Sequence, residues 1–389
     1  MPASELLYQS EACGVYVHVP FCLKKCAYCS FYSVAGQRQW IKRYIAAMEL
    51  LLGQEAGPDC LPELDVRTIF FGGGTPSVVP AEQLVSLLHR ILTRFGALAD
   101  EVEISVEVNP ATIDFAGLVC LRQGSFNRLS IGVQSLADHE LVRLGRAHTA
   151  QDALETFALA RKAGFDNLSL DLMYGLPGQN RISWQQTLEK ALALKPDHVS
   201  LYELTVETQT EFFADKQAGR LELPEEDEIL AFMEDTRSVL NQSALCRYEI
   251  SNFALPGHAC RHNVNYWHNG SYLGYGPGAV SCLSGTRTTT PADLELFCSR
   301  VLSGKTIVTD QETLTRTARF RETVILGLRM LQGVSLSALE DRFGLEPVSY
   351  YGATLQRLID HQLVEISQGN LRLTGQGLLL ANVVMSELV

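Results

Sequence analysis

Cys22, Cys26 and Cys29 fall within eight residues, spaced C-x3-C-x2-C. Three thiolates on one tight loop can hold three irons of a [4Fe–4S] cube, a cluster that takes four cysteines when fully ligated. The fourth iron then stays open, and an open Lewis-acidic iron chelates a molecule offering an amino and a carboxylate group together. S-adenosylmethionine offers that pair. An electron passed from the reduced cluster to its sulfonium breaks a carbon–sulfur bond and releases a 5′-deoxyadenosyl radical. Two other readings of the loop remain open: a zinc site, which needs a fourth ligand such as the neighbouring His18, or a chance group of core thiols.

Further along stands Gly72-Gly73-Gly74-Thr75-Pro76, a turn whose missing side chains let backbone N–H and C=O groups approach a ligand closely. Glu107 and Asp171 could accept hydrogen bonds from a methionine ammonium or from ribose hydroxyls, and Gln134 through its amide oxygen. Arg146 could pair with the methionine carboxylate through its fork of donors. Each of these residues taken singly is equally well explained as a loop ion pair or a cap.

The elements that position them read as strands alternating with helices. Apolar runs at Val15–Val19, Thr68–Phe71, Val102–Val108, Arg128–Gly132, Asn167–Leu172 and His198–Tyr202 suit strands buried on both faces. Amphipathic stretches lie between them, one with Ile41, Tyr44, Ile45, Met48 and Leu52, another with Leu84, Leu87, Leu88, Ile91 and Phe95. Gly124 and Gly164 stand where helix C-caps belong. Six strand–helix units imply a parallel sheet with right-handed crossovers, two short of a closed eight-stranded barrel, hence a partial (β/α)6 barrel. The cysteine triplet, the glycine turn, Glu107, Gln134, Asp171 and Glu203 then stand in order near the carboxyl ends of successive strands, where barrel active sites are built.

From about Glu207 the alternation stops. Helices are predicted at Glu225–Asn241, Ala292–Leu302 and Thr315–Leu331, around a glycine- and aromatic-rich segment from Arg247 to Ser284. The end reads as a winged helix, with helices near Leu336–Phe343 and Ser349–His361 and a wing of Leu363–Ile366 and Asn370–Leu373. Its would-be recognition helix carries only Arg357 against Asp360, which suits a packing module better than a DNA reader. The boundary therefore falls at 206: an α/β domain over 1–206 and a mainly helical, winged-helix-like accessory domain over 207–389.

The net charge is −12, with 44 acidic against 32 basic side chains, so the chain repels polyanions and nucleic acid is not an expected partner. No apolar run reaches the roughly 18 residues of a membrane span. Met1 to Ser10 lacks a basic start and an apolar core, so export is not expected and a cytoplasmic setting is. Ten cysteines in a reducing compartment point to metal or redox chemistry rather than to disulfides. Outside the triplet, Cys13, Cys60, Cys120, Cys246, Cys282 and Cys298 are scattered and read as ordinary thiols.

Taken together, these segments resemble the radical S-adenosylmethionine proteins of the oxygen-independent coproporphyrinogen oxidase superfamily. The matching stretches are Tyr16-Val17-His18-Val19-Pro20-Phe21-Cys22, Gly72–Pro76, Ile131-Gly132-Val133-Gln134-Ser135, Leu144-Gly145-Arg146, Asp171-Leu172-Met173-Tyr174-Gly175-Leu176-Pro177 and His262-Asn263-Val264-Asn265-Tyr266-Trp267. The resemblance implies a [4Fe–4S] cluster on Cys22, Cys26 and Cys29. It also implies an S-adenosylmethionine pocket lined by Tyr16, Tyr28, Gly73, Gly74, Thr75, Glu107, Gln134, Arg146 and Asp171, with a looser match at Thr205. Within the superfamily, the oxidase branch carries a fourth cysteine two positions past the triplet, where this chain has Phe31, and a long segment before it, where this chain has 21 residues. The HemW-type heme chaperones lack that cysteine and carry the H-N-x-x-Y-W segment. The chain resembles them more closely, and coproporphyrinogen III oxidase activity is the alternative.

That likeness implies heme as a ligand, respiratory hemoproteins as its acceptors, an external electron donor such as flavodoxin or ferredoxin, and room for peripheral membrane contact. His262 would be the axial heme ligand, with Tyr266 and Trp267 as an aromatic wall. A structural histidine among core aromatics is the competing reading, and His258, His268 and Cys260 are further ligand candidates.

Overall fold

The computed structural model describes residues 12–53, 64–96 and 101–389. The expectations that fall on Met1 to Ser10 and on Cys60 lie outside the described residues. Six parallel strands form the centre: β1 (Ala12–Val19), β2 (Asp65–Gly73), β3 (Glu103–Val108), β4 (Arg128–Gln134), β5 (Leu168–Tyr174) and β6 (His198–Glu203), neighbours in that order. Val15, Val17, Val19, Ile69, Phe71, Val106, Leu129, Ile131 and Leu172 are each at most 1% exposed, as the continuous apolar runs require for strands covered on both faces. Helices cross over between strands and carry their own caps. Asp114 accepts from the Gly117 amide at 2.8 Å, and Thr149 and Asp152 form a capping box.

Gly124 caps its helix at a φ of −78°, and it is Ser125 that takes the left-handed turn at 79°. What requires glycine there is space, because a Cβ would lie 2.3 Å from Val85 of the adjacent helix.

The second half differs from the sequence expectation. The glycine- and aromatic-rich segment and the stretch after it, for which no strand is expected, supply β7 (Cys246–Arg247), β8 (Asn252–Ala254), β9 (Ser271–Tyr275), β10 (Val280–Leu283), β11 (Thr286–Thr289) and β12 (Asp310–Thr313). These extend the barrel sheet on both edges, in the order β12-β11-β10-β9-β1-β2-β3-β4-β5-β6-β8-β7. β9 runs parallel to β1, and β8 runs antiparallel to β6. They are short, two to five residues, and most are only partly buried, which is why no continuous apolar run announced them.

The core follows the sheet. One hydrophobic cluster runs from Cys13 to Val301, and a separate one from Phe320 to Leu388. Trp184 ties the helix Glu226–Leu240 to the barrel, donating its indole N–H to Thr236 Oγ1 at 2.9 Å. The first hydrophobic cluster thus continues across residue 206, and the second begins past β12. There the winged unit's three-stranded sheet pairs β13 (Val334–Ser335), β15 (Asn370–Leu373) and β14 (Val364–Ser367) in that order, around helices Leu336–Phe343 and Ala353–Asp360. No helix among the described residues is long and apolar enough to cross a membrane.

Candidate functional site

The cysteine loop leaves β1 at the carboxyl end of the sheet and is anchored by its backbone. Phe21–Cys22 pairs in parallel with Val34–Ala35, closing the loop at its base. The Ala27 amide donates to the Leu144 carbonyl at 3.0 Å, and the Phe212 amide donates to the Ala27 carbonyl at 2.9 Å. The three thiols thus sit on a segment fixed from two neighbouring helices.

The glycine turn at the end of β2 lies against the same loop. The Gly74 amide donates to Val19 O at 2.9 Å and the Thr75 amide to Phe21 O at 2.7 Å. Gly73 has a φ of 109°, and a Cβ on it would stand 2.5 Å from the His18 ring. A Cβ on Gly74 would stand 2.8 Å from Phe21 O. Glycine is required at Gly73 by its positive φ and the His18 ring, and at Gly74 by the close approach of the Pro20–Phe21 backbone. His18, the zinc reading's fourth ligand, has Nε2 2.8 Å from Tyr32 O and Nδ1 3.3 Å from the Tyr16 hydroxyl. Burial lowers its pKa, so it is a neutral brace between two loops.

One chain of hydrogen bonds joins two of the thiols, Cys22 and Cys26. Thr75 donates to Cys22 Sγ at 3.6 Å, and the Asn109 amide nitrogen donates to Thr75 Oγ1 at 2.7 Å. Arg146 Nη2 donates to Asn109 Oδ1 at 2.7 Å and to Gly132 O at 2.5 Å, while its Nη1 donates to Cys26 Sγ at 3.6 Å. Burial pushes the Cys22 and Cys29 thiols up, and hydrogen bonds from Thr75 and Ser33 at Cys22, and from the Phe31 backbone at Cys29, pull in the opposite direction. Arg146 also meets the Tyr28 hydroxyl, and its buried Nε has no partner. An orphaned guanidinium donor beside three hydrogen-bonded thiols fits a cube with an open iron and a carboxylate-bearing ligand next to it.

Glu107 accepts from the Gly73 amide at 3.1 Å. Burial, and then the neighbouring charge of Asp171, push its pKa up to about 8. Asp171 accepts from the Ser130 hydroxyl at 3.0 Å and is itself raised, chiefly by burial. Gln134 ends β4 at a φ of 69°, where the register against β5 slips by one residue. Such a bulge turns a side chain that would otherwise alternate across the sheet. Tyr16 stands on β1, its hydroxyl raised by burial and then by Glu107. Thr205 lies exposed just past β6.

Asn109, which completes the link between Thr75 and Arg146, is the residue that sequence reasoning missed. A polar residue at the carboxyl end of β3, directly before Pro110, was its signal.

His262 lies beneath this site, its ring stacked against Tyr16 with centroids 6.3 Å apart. It sits in the helix Arg261–Trp267, which plugs the opposite end of the barrel. Glu103, the first residue of β3, accepts from the Arg261 and His262 amides at 2.9 and 3.1 Å and from the Cys260 thiol at 3.7 Å. His262 Nδ1 is 2.8 Å from Thr68 Oγ1, and its ring stacks on Phe70 with centroids 5.1 Å apart. Burial, then Arg128, lower its pKa to about 3. At 1% exposure the ring offers no face to a porphyrin, and Cys260, also 1% exposed, offers none either.

A partial α/β barrel with a three-thiol loop, a glycine turn and a buried guanidinium at its mouth defines a radical S-adenosylmethionine protein. Residues 16–191 match the radical SAM superfamily and residues 314–380 match the HemN C-terminal domain. Over nearly its whole length the chain is 35% identical to the heme chaperone HemW of Bacillus subtilis, covering 95% of this chain and 97% of that one. It is 34% identical to HemW of Lactococcus lactis, covering 96% of each chain. It is 32% identical to radical S-adenosyl methionine domain-containing protein 1, mitochondrial, of Danio rerio, covering 97% of this chain and 86% of that one. The chain belongs to the HemW family. Its fold is similar to that of coproporphyrinogen III oxidase (HemN) from Escherichia coli, with a TM-score of 0.84 and 25% identity over 98% of this chain and 91% of that one.

Proposed function

We propose that this protein is a heme chaperone: it binds heme, holds a [4Fe–4S] cluster and S-adenosylmethionine at the barrel mouth, and passes heme to acceptor hemoproteins of respiration. The observation that carries this is the full-length likeness to HemW proteins, with Phe31 standing 68% exposed where the oxidase branch has its fourth cysteine. Nine free thiols among the described residues suit a reducing compartment such as the cytoplasm.

Cys22, Cys26 and Cys29 would hold the cluster, which when bound supplies one-electron reduction of S-adenosylmethionine. The chain's own residues do the rest. Arg146 is pre-positioned by Asn109 and Gly132 and presents its free Nε to a carboxylate. Glu107, held at the Gly73 amide, accepts from an ammonium once it loses its proton. Asp171, steadied by Ser130, presents its carboxylate toward hydroxyl donors. Thr75 and Arg146 donate to thiolate sulfur, which stabilises the ligating form.

The structural likeness to HemN favours a second reading, coproporphyrinogen III oxidation. Anaerobic incubation of the reconstituted protein with coproporphyrinogen III, reductant and S-adenosylmethionine separates the two. A chaperone binds heme stoichiometrically and leaves the porphyrinogen unchanged; conversion to protoporphyrinogen IX would overturn the chaperone assignment.

A further inference from the structure

The segment that carries the cysteine loop has a charge opposite to that of the chain; the acids on the helix ends bonded to it at Ala27 and Tyr32 are Glu211, Asp293 and Glu295. From Ala12 to Met48 there is no aspartate or glutamate, where the average density of acids would place about four. Lys24, Lys25, Arg38, Lys42 and Arg43 stand in that stretch, and all five are exposed. Two of them lie between Cys22 and Cys26 themselves. Lys42 and Arg43 occupy the first turn of the helix Ile41–Gly53, and that turn holds no acidic residue. A helix N-terminus disfavours cations by a few tenths of a kcal/mol, so helix stability does not account for their placement. Beside the lysines, Leu23 is 39% and Phe31 68% exposed, apolar side chains that only another surface could cover.

We propose that this face docks an acidic protein that carries one electron and delivers it to the cluster across the Cys22–Cys29 loop. The carrier loses one electron and the cluster gains it; no proton or group moves in that step. The inference rests on the cluster being held by these three cysteines. Its physical logic is short range. Electron transfer needs the closest approach the fold allows, and the loop that ligates the irons is that approach. Exposed apolar side chains within a cationic segment suit a small, transient interface of the kind weak redox encounters use. The positive field steers an acidic partner toward a protein that otherwise repels it.

The test uses anaerobically reconstituted full-length protein with its iron counted, in wild type and in two charge reversals, Lys24→Glu/Lys25→Glu and Arg38→Glu/Lys42→Glu. Cluster reduction is followed by stopped flow with flavodoxin hydroquinone as the acidic carrier and with photoreduced deazaflavin as the small reductant. At low salt each reversal should slow the flavodoxin reaction at least about tenfold, and added salt should slow wild type toward the variants. Deazaflavin rates, heme affinity and binding to anionic vesicles should stay unchanged. The second pair lies outside the ligand loop, so a disturbed loop in the first does not blur the result. Equal flavodoxin rates in all three proteins, an equal loss with both reductants, or lost heme or vesicle binding without a flavodoxin effect would overturn the docking face. Wild-type protein that takes up no cluster would instead refute the ligand assignment beneath it.

Discussion

The two ends of the barrel hold similar inventories of polar side chains and use them in different ways. At the mouth, Arg146, Asn109 and Thr75 form a line that touches the Cys22 and Cys26 thiols and leaves the Arg146 Nε without a partner. At the floor, Glu103, Arg128, His198 and His262 are each at most 6% exposed; Glu103 binds the end of a helix, Arg128 lies within its electrostatic reach, and the Arg128 Nε too has no partner. Thr75 and Arg146 donate to cysteine sulfur at the mouth; at the floor, Glu103 holds backbone amides while His262 and His198 meet the hydroxyls of Thr68 and Ser169, all sealed from solvent. Burial with perturbed protonation therefore marks both ends, and only access distinguishes a binding site from a brace.

That contrast predicts that mouth substitutions alter ligands and spare stability, whereas floor substitutions do the reverse. The largest effect should come from Cys26→Ser, which is expected to abolish iron–sulfur absorbance and S-adenosylmethionine cleavage together; cleavage surviving in that variant would remove Cys26 from the ligand set. At the floor, Glu103→Ala strands Arg128 in the interior and should destabilise the chain by about 3–5 kcal/mol, read from thermal or denaturant unfolding. Back at the mouth, Arg146→Ala should weaken S-adenosylmethionine binding by about 10- to 100-fold with iron content intact, and Asn109→Ala by about tenfold, since each loses hydrogen bonds worth roughly 1–3 kcal/mol. His262→Ala should lower stability by about 2 kcal/mol through the cavity it leaves, with the spectrum of bound heme unshifted. A shifted heme spectrum would make the floor a binding site after all.

The smallest effect is a pH dependence at Glu107. In the folded chain Glu107 keeps its proton to about pH 8, and unfolded it loses it near 4.5. The folded state binds more protons in between, so this group's contribution to stability declines as pH rises through that window. An ammonium ligand selects the ionised carboxylate, so S-adenosylmethionine affinity should climb a few-fold between about pH 7 and 8, and Glu107→Gln should flatten the rise. A pH-independent affinity in the wild type would detach Glu107 from the ammonium.

Much of the site was legible before the fold was known. The cysteine spacing, the glycine turn and the six buried apolar runs are local signals, and the runs place polar residues at strand ends in register. Asn109 was not legible, because its function is to join Thr75 and Arg146, 34 and 37 residues away, and no local pattern encodes such a partner. The sheet extension from residue 246 to 313 was hidden for a related reason. Its strands are two to five residues long and take their pairing from β1 and β6 rather than from their own composition.

His262 shows the division most plainly. By itself the sequence determined the chemistry available: three thiols within one loop, carboxylates and a guanidinium on later strands, and a histidine among aromatics. Which of these face a ligand was decided only when the chain closed. The direction of β1 to β6 sends the cysteine loop and Arg146 to one end of the barrel, and the helix Arg261–Trp267 carries His262 into the other. Accessibility is a property of packing between distant segments, and residue type carries no record of it.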